Sequence, residues 1–246
     1  MTESRASGRL RRFFVPPSAL ASETVLLPAR ESHHIATVLR LRPGERVIVF
    51  DGQQEAEAEL LTVSDHAVTA RLVGPTRAAA RRFSITLLQG IARGPKMDLI
   101  VRMATEIGLT VIAPVITARS LPDPGPARLE RWRRIAREAA GQCGRADVPE
   151  VRPGASLPAA LAALGPVDLF IVPWEQATRP VGQVIAGRAF VSAAVLIGPE
   201  GGLRDDEVDA ARDAGAQDVS LGPLVLRTET AGVIAAAMLL YERTLR

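Results

Sequence analysis

The chain reads as a two-part α/β protein, and three observations predict it. From about residue 83 onward, apolar runs of strand length alternate with helical stretches, the pattern of a mostly parallel sheet with helices on its faces. Before that point the segments are short and strand-rich, with one helical stretch. Finally, two glycine-bearing segments stand near the C-terminus, Ile197-Gly198-Pro199-Glu200-Gly201-Gly202 and Leu221-Gly222-Pro223-Leu224-Val225-Leu226-Arg227-Thr228-Glu229-Thr230. Each follows a strand-like run and leads into a helix, where ligands of open α/β sheets bind.

In order, residues 1–10 are polar and are expected to be mobile. Ser32 to Leu41 places Ile35, Val38, Leu39 and Leu41 at helical spacing and closes on Pro43-Gly44. Arg46 to Phe50 is a strand, Asp51-Gly52 a hairpin turn, Glu55 to Val63 an alternating acidic and apolar strand, and His66 to Val73 another. Gly74 to Arg82 reads as a linker. Strands follow at Phe83 to Leu88, Val111 to Ile116, Val167 to Val172, Ala193 to Ile197 and Asp218 to Leu221. Helices fall at Lys96 to Ile107, Arg128 to Gly141, Leu157 to Leu164, Asp205 to Ala214 and Thr230 to about Arg243, with Asp205 and Thr228 or Thr230 as caps.

At 246 residues the chain has ample length for two modest domains. No apolar run approaches the roughly 18 to 20 residues of a membrane span, and the N-terminus is too polar for a signal peptide, so a soluble, cytoplasmic protein is expected. A single Cys143 excludes an internal disulfide framework, and without clustered cysteines no metal is expected. The net charge is +3, and Lys96 is the only lysine. An arginine-rich surface suits nucleic acid, although such a bias also arises from genome composition.

Neither glycine segment has the spacing of a phosphate cradle, and Glu200 would repel a phosphate. A nucleoside-like or zwitterionic ligand fits better. The pair Leu-Ile-Gly-Pro-Glu-Gly-Gly and Leu-Gly-Pro-Leu-Val-Leu-Arg-Thr-Glu-Thr-Ala resembles the cofactor signature of SPOUT-class RNA methyltransferases of the RsmE family, which methylate N3 of a uridine in 16S rRNA. The likeness extends through Arg12-Phe13-Phe14-Val15, His34 to Leu41, Phe50-Asp51-Gly52, Lys96-Met97-Asp98, Glu106-Ile107-Gly108 and Glu138 to Arg145.

The resemblance implies a PUA-like β-barrel at 1–76 and a trefoil-knotted SPOUT methyltransferase domain at 77–246, working as a homodimer on 16S rRNA of the small ribosomal subunit. It also implies S-adenosylmethionine held by Ile197, Gly198, Pro199, Glu200, Gly201, Leu221, Gly222, Leu226 and Arg227. Loss of the uracil N3 proton needs a cationic donor near the developing anion and a base. Arg227 is the candidate donor, and Glu229 or Glu106 the candidate base. Glu229 equally suits a first-turn helix carboxylate, and Glu106 a helix-end residue. RNA contact is expected from Arg11, Arg12, Phe13, His34, Arg40, Lys96, Arg137 and Arg145, because cations beside aromatics grip phosphate and stack on bases. Two rival readings stay open: a ribose 2′-O methyltransferase of tRNA or large-subunit rRNA, and a non-catalytic ribosome-binding module.

Overall fold

Alternation of side chains across a strand decides the first sheet. In β4 (Gln54–Val63), Ala56, Ala58 and Leu60 are buried while Glu55, Glu57 and Glu59 keep contact with water. The computed structural model describes residues 10–79 and 83–244, so the polar lead 1–9 and the linker residues 80–82 lie outside the described residues. β1 (Arg12–Phe14), β2 (Thr24–Leu26), β3 (Arg46–Phe50), β4, β5 (Val68–Leu72) and β6 (Arg77–Ala78) form one sheet in the order β1-β3-β4-β5-β2, with β6 on β4. Only the β1–β3 pair is parallel. Phe13, Val25, Ile35, Val47, Val49 and Val68 fill its core.

The turn between β3 and β4 follows from Asp51 and Gly52. The Asp51 carboxylate accepts from the backbone N–H of Gln53 and Gln54 at 2.8 and 2.9 Å, and Gly52 adopts φ +95°. Such a turn asks for Asx chemistry and for a residue free to take positive φ. The helical stretch differs from the expected one. It starts earlier, directly after Pro28, as α1 (Ala29–His33), and widens into a π turn over His34–Val38. The linker also gives up Arg77 and Ala78 to the sheet edge.

Residues Ala140–Val148 cluster with this sheet rather than with the second one. Gly141 admits the Phe50 ring, which a Cβ there would meet at 3.4 Å, and Val148 N–H donates to Gly52 O at 3.2 Å.

The second sheet is wholly parallel. Its elements are β7 (Ser84–Gly90), α2 (Lys96–Ile107), β8 (Val111–Ile116), α3 (Gly125–Cys143), β9 (Glu150–Val151), β10 (Ala155–Ser156), α4 (Leu157–Ala162), β11 (Leu169–Pro173), α5 (Gly182–Ile185), β12 (Ser192–Ile197), α6 (Asp205–Asp213), β13 (Gln217–Val219) and α7 (Thr228–Thr244). Strand order is β10-β8-β7-β12-β11-β13, with β9 on β8. β7 and β12 lie inside the sheet, which is why both are nearly continuous apolar runs. β9, β10 and α5 escaped the sequence reading, being two to four residues long.

The cap of α6 also departs from expectation. Asp205 is already inside the helix, and Glu207 reaches back to accept the Arg204 N–H at 2.9 Å. Its other carboxylate oxygen accepts from Ala118 N–H at 2.7 Å, so one buried acid serves two loops. Among the described residues no helix is long and apolar enough to cross a membrane.

Close approach at the end of β7 fixes the geometry of the next strand end. A Cβ on Gly90 would meet Pro199 N at 2.6 Å and Gly198 C at 2.9 Å, both backbone atoms that cannot swing away. Gly90→Ala is expected to destabilise the protein by about 1–3 kcal/mol, the usual cost of overpacking, as read by urea denaturation.

Candidate active site

The adjacent strands β12, β11 and β13 deliver three loops to one side of the sheet. With the first residue of α2 they enclose a cleft of about 440 Å³. Its walls are Lys96, Pro173 to Glu175 after β11, Ile197 to Leu203 after β12, and Val225 to Thr228 with Ala231 at the start of α7.

The loop after β12 folds back on itself. A Cβ on Gly198 would lie 2.9 Å from both Gly202 C and Leu203 N. Gly202 has φ +72°, and its N–H donates to Pro199 O at 2.9 Å. The glycines are thus required by the turn as well as by any ligand.

A buried relay joins this loop to the next. Gln89, fully buried at the end of β7, donates from Nε2 to Thr228 Oγ1 at 2.9 Å, and that hydroxyl donates to Gly198 O at 2.6 Å. Thr228 therefore spends its side chain across the cleft floor instead of capping α7, whose first turn closes on Arg227 O.

Charge gathers at the mouth. Lys96 Nζ lies 3.0 Å from Glu200 Oε1 and 3.6 Å from Glu229 Oε2. Glu200 Oε1 also accepts the Arg93 N–H at 2.9 Å. Burial works to raise the Glu200 carboxyl, but the Arg93 N–H, its own backbone N–H and Lys96 outweigh that and hold it below its ordinary value. Glu229 is only 13% exposed, and its Oε2 is buried with no hydrogen-bond partner beside the ammonium. Arg227 stands 84% exposed, with Nη1 4.0 Å from Glu229 Oε1.

The expected site residues divide accordingly. Ile197, Gly198, Pro199, Glu200, Gly201, Leu226 and Arg227 line the cleft, with Glu229 beside it. Leu221 and Gly222 do not reach the lining; they belong to the exposed approach to it. Glu106 lies outside the cleft lining. It sits ten residues beyond Lys96 on the same helix, about 15 Å along the axis, 39% exposed and 3.8 Å from Arg102. Such a position makes it a helix-end carboxylate. Lys96 belongs to the cleft through its two carboxylates, where an RNA-facing residue was expected.

In the first unit, Phe13 is buried in the core and has no face for a base. Arg12 is 9% exposed, ion-paired with Glu55, bonded to Arg145 O and stacked over the Phe50 ring at 5.4 Å, so it braces the fold. Arg145 is likewise tied to Asp147 at 2.6 Å, and Arg137 is half-buried. Arg11, His34 and Arg40 are exposed. Among the described residues no group of three His, Cys, Asp or Glu gathers as a metal site requires. Sequence reasoning missed Trp174, Glu175, Gln89 and Arg119. The last donates from Nη1 to Gly201 O at 2.7 Å and braces the loop from outside. The position of the first two at a strand end was the available signal.

A parallel sheet with a glycine-walled cleft beyond its strand ends, preceded by a small β domain, is an architecture this chain shares with RNA methyltransferases. The sequence profile of the RNA methyltransferase domain matches residues 79–240, and that of the RNA methyltransferase PUA domain matches 27–73. Ribosomal RNA small subunit methyltransferase E of Bacillus subtilis is 30% identical over 96% of this chain and 98% of its own length. The enzyme of that name from Mycobacterium bovis is 32% identical over 91% and 88%. The crystal structure of the Neisseria gonorrhoeae ribosomal RNA small subunit methyltransferase E bound to S-adenosyl methionine matches with a TM-score of 0.83 and 32% identity, over 96% of this chain and 98% of that one. The chain belongs to the ribosomal RNA small subunit methyltransferase E family.

Two outcomes are expected here. Thr228→Val removes the hydroxyl that donates to the Gly198 carbonyl and accepts from Gln89 Nε2, which keeps only its bond to Gly90 O, and should cost about 1–3 kcal/mol in urea denaturation. A carboxyl held below its ordinary value stabilises the fold above that value, and the contribution is lost as pH falls through the lower folded pKa. Lys96→Met removes one of the groups holding Glu200 down, so its titration, followed by NMR of the side-chain carboxyl carbon, should move to higher pH.

Proposed function

We propose that this chain methylates N3 of a uridine in 16S rRNA of the small ribosomal subunit, using S-adenosylmethionine. The observation that carries the reading is the cluster of Lys96, Glu200, Glu229 and Arg227 at the mouth of a cleft walled by glycine turns. Membership in a family whose named relatives act on small-subunit rRNA supports the substrate, and the Neisseria gonorrhoeae structure with S-adenosyl methionine supports the cofactor.

The cleft suits that cofactor. Its volume is within the range of about 300–1,000 Å³ typical of small-molecule sites, and glycine turns let backbone groups approach a nucleoside closely. Trp174 contributes a buried indole N–H that has no partner among the described residues. Ile197 to Gly201, Leu226 and Arg227 would hold the group, with Leu221 and Gly222 shaping the loop that leads to them.

When bound, S-adenosylmethionine supplies a methyl group on a cationic sulfur. Glu229, whose buried Oε2 lies beside Lys96, takes the N3 proton of uracil on its other oxygen, Oε1. Arg227, standing out into solvent, meets the negative charge that spreads onto O2 and O4 as the N3 proton leaves, a charge that is consumed when N3 takes the methyl group from the sulfonium. Alignment of donor and acceptor by the fixed cleft floor contributes further.

The proposal extends to the division of labour. Residues 1–76 serve as the RNA-binding domain through exposed Arg11, His34 and Arg40, and 77–246 as the knotted methyltransferase domain. The working form is a cytoplasmic homodimer.

The test is nucleoside mass spectrometry of 16S rRNA after incubating the protein and S-adenosylmethionine with small subunits from a strain lacking this modification. New 3-methyluridine at one site is expected. Glu229→Gln should lower the single-turnover rate about 10²-fold or more, and Arg227→Ala to a similar degree, with the melting temperature of each near that of the parent. Near-normal turnover of either variant removes that residue from its role.

A further inference from the structure

Four charged side chains line the cleft, and three of them are accounted for. Lys96 and Glu200 neutralise each other at 3.0 Å, and Arg227 stands 84% exposed, where water screens it. The fourth is Glu175, the second residue beyond β11. Among the described residues its carboxylate has neither hydrogen bond nor ion pair. Arg119, which packs against Gly201 in the loop that faces Glu175, is engaged with Gly201 O.

The loop makes room for this carboxylate. A Cβ on Gly202 would approach Glu175 Oε1 to 3.0 Å, and Gly202 already needs glycine for its φ of +72°. The acid therefore faces the turn at Gly202. The neighbouring Trp174 ring is held by Arg212, stacked at 5.3 Å and itself fixed by Asp209 and Asp218. Glu175 thus projects from a braced strand end.

Glu175 is itself exposed at the cleft wall, so its field is partly screened, but an uncompensated carboxylate beside a bound ligand still favours a cationic ligand over a neutral one of the same shape. The methyl donor and its product form such a pair. S-adenosylmethionine carries a sulfonium, an ammonium and a carboxylate, for a net charge of +1. S-adenosylhomocysteine has lost the methyl group and the sulfonium charge and is neutral overall. We propose that Glu175 is the charge-selecting residue of the cleft, favouring the sulfonium donor over the thioether product and so easing product release after each transfer. This rests on the cofactor reading given above.

Titration calorimetry of the full chain with each ligand separately tests it. In Glu175→Gln the dissociation constant for S-adenosylmethionine should rise about tenfold, while that for S-adenosylhomocysteine changes by less than about threefold. Glu175→Asp retains the charge and should keep most of the parent's preference, which separates charge from a packing defect. Raising the salt should narrow the parent's preference and leave that of Glu175→Gln unchanged. Equal loss for both ligands in Glu175→Gln would overturn the proposal, because a plain hydrogen-bond acceptor for the shared ribose or ammonium behaves that way. No change for either ligand would overturn it as well. Failure of the parent protein to bind either ligand would instead bring down the cofactor reading itself.

Discussion

One hydroxyl inside the second sheet holds the cleft together. Thr228 Oγ1 accepts from Gln89 at the end of β7 and donates to Gly198 O at the end of β12, while its own backbone opens α7. A buried hydrogen bond contributes only about 1 kcal/mol net, but leaving its partners unpaired costs more, so the three segments move together or not at all. The same constraint explains Gly232. A glycine inside a helix costs about 1 kcal/mol relative to alanine, yet a Cβ here would meet Leu87 Cδ1 at 3.1 Å and Gln89 Oε1 at 3.5 Å. α7 can lie close enough to β7 for Thr228 to reach Gln89 because that side chain is missing.

Upon this floor the polar groups are arranged by contrast. Gln89 and Thr228 are neutral and buried, and their work is positional. Lys96 and Glu200 are partly exposed at the rim and Glu229 lies deeper beside them, so mutual pairing is joined by partial hydration only at the outer two. The backbone N–H of Arg93 fixes Glu200 independently of the lysine, so the loop after β12 has an anchor besides Lys96.

Much of this was legible in the sequence, for reasons that differ by element. α2 and β8 appear at the bounds expected because their apolar periods are long and their ends carry strong signals, Gly94-Pro95 and Gly108. The two glycine segments announced the loops. Trp174 and Glu175 were illegible because their importance depends on β11 lying beside β12, and strand order is a tertiary fact. Arg12 and Phe13 show the opposite failure. Cations beside aromatics look the same in sequence whether they grip RNA or stack inside the fold, and here the decisive partners, Phe50 and Glu55, lie about forty positions away.

The presence of lysine at position 96 also becomes intelligible. It is the only lysine among 30 Lys and Arg residues, at a site where two carboxylates arrive from different loops. A guanidinium is a planar fork that pairs best with one carboxylate, bidentately, whereas an ammonium is a compact charge with three rotatable donors. At 3.0 and 3.6 Å from Glu200 and Glu229, the ammonium is shared between them. Arginine would commit itself to one acid and leave the other unpaired, closing the rim in a single fixed arrangement. A shared lysine engages only Oε2 of Glu229 and leaves Oε1 outside that pair, and a free oxygen is what proton removal from a base requires.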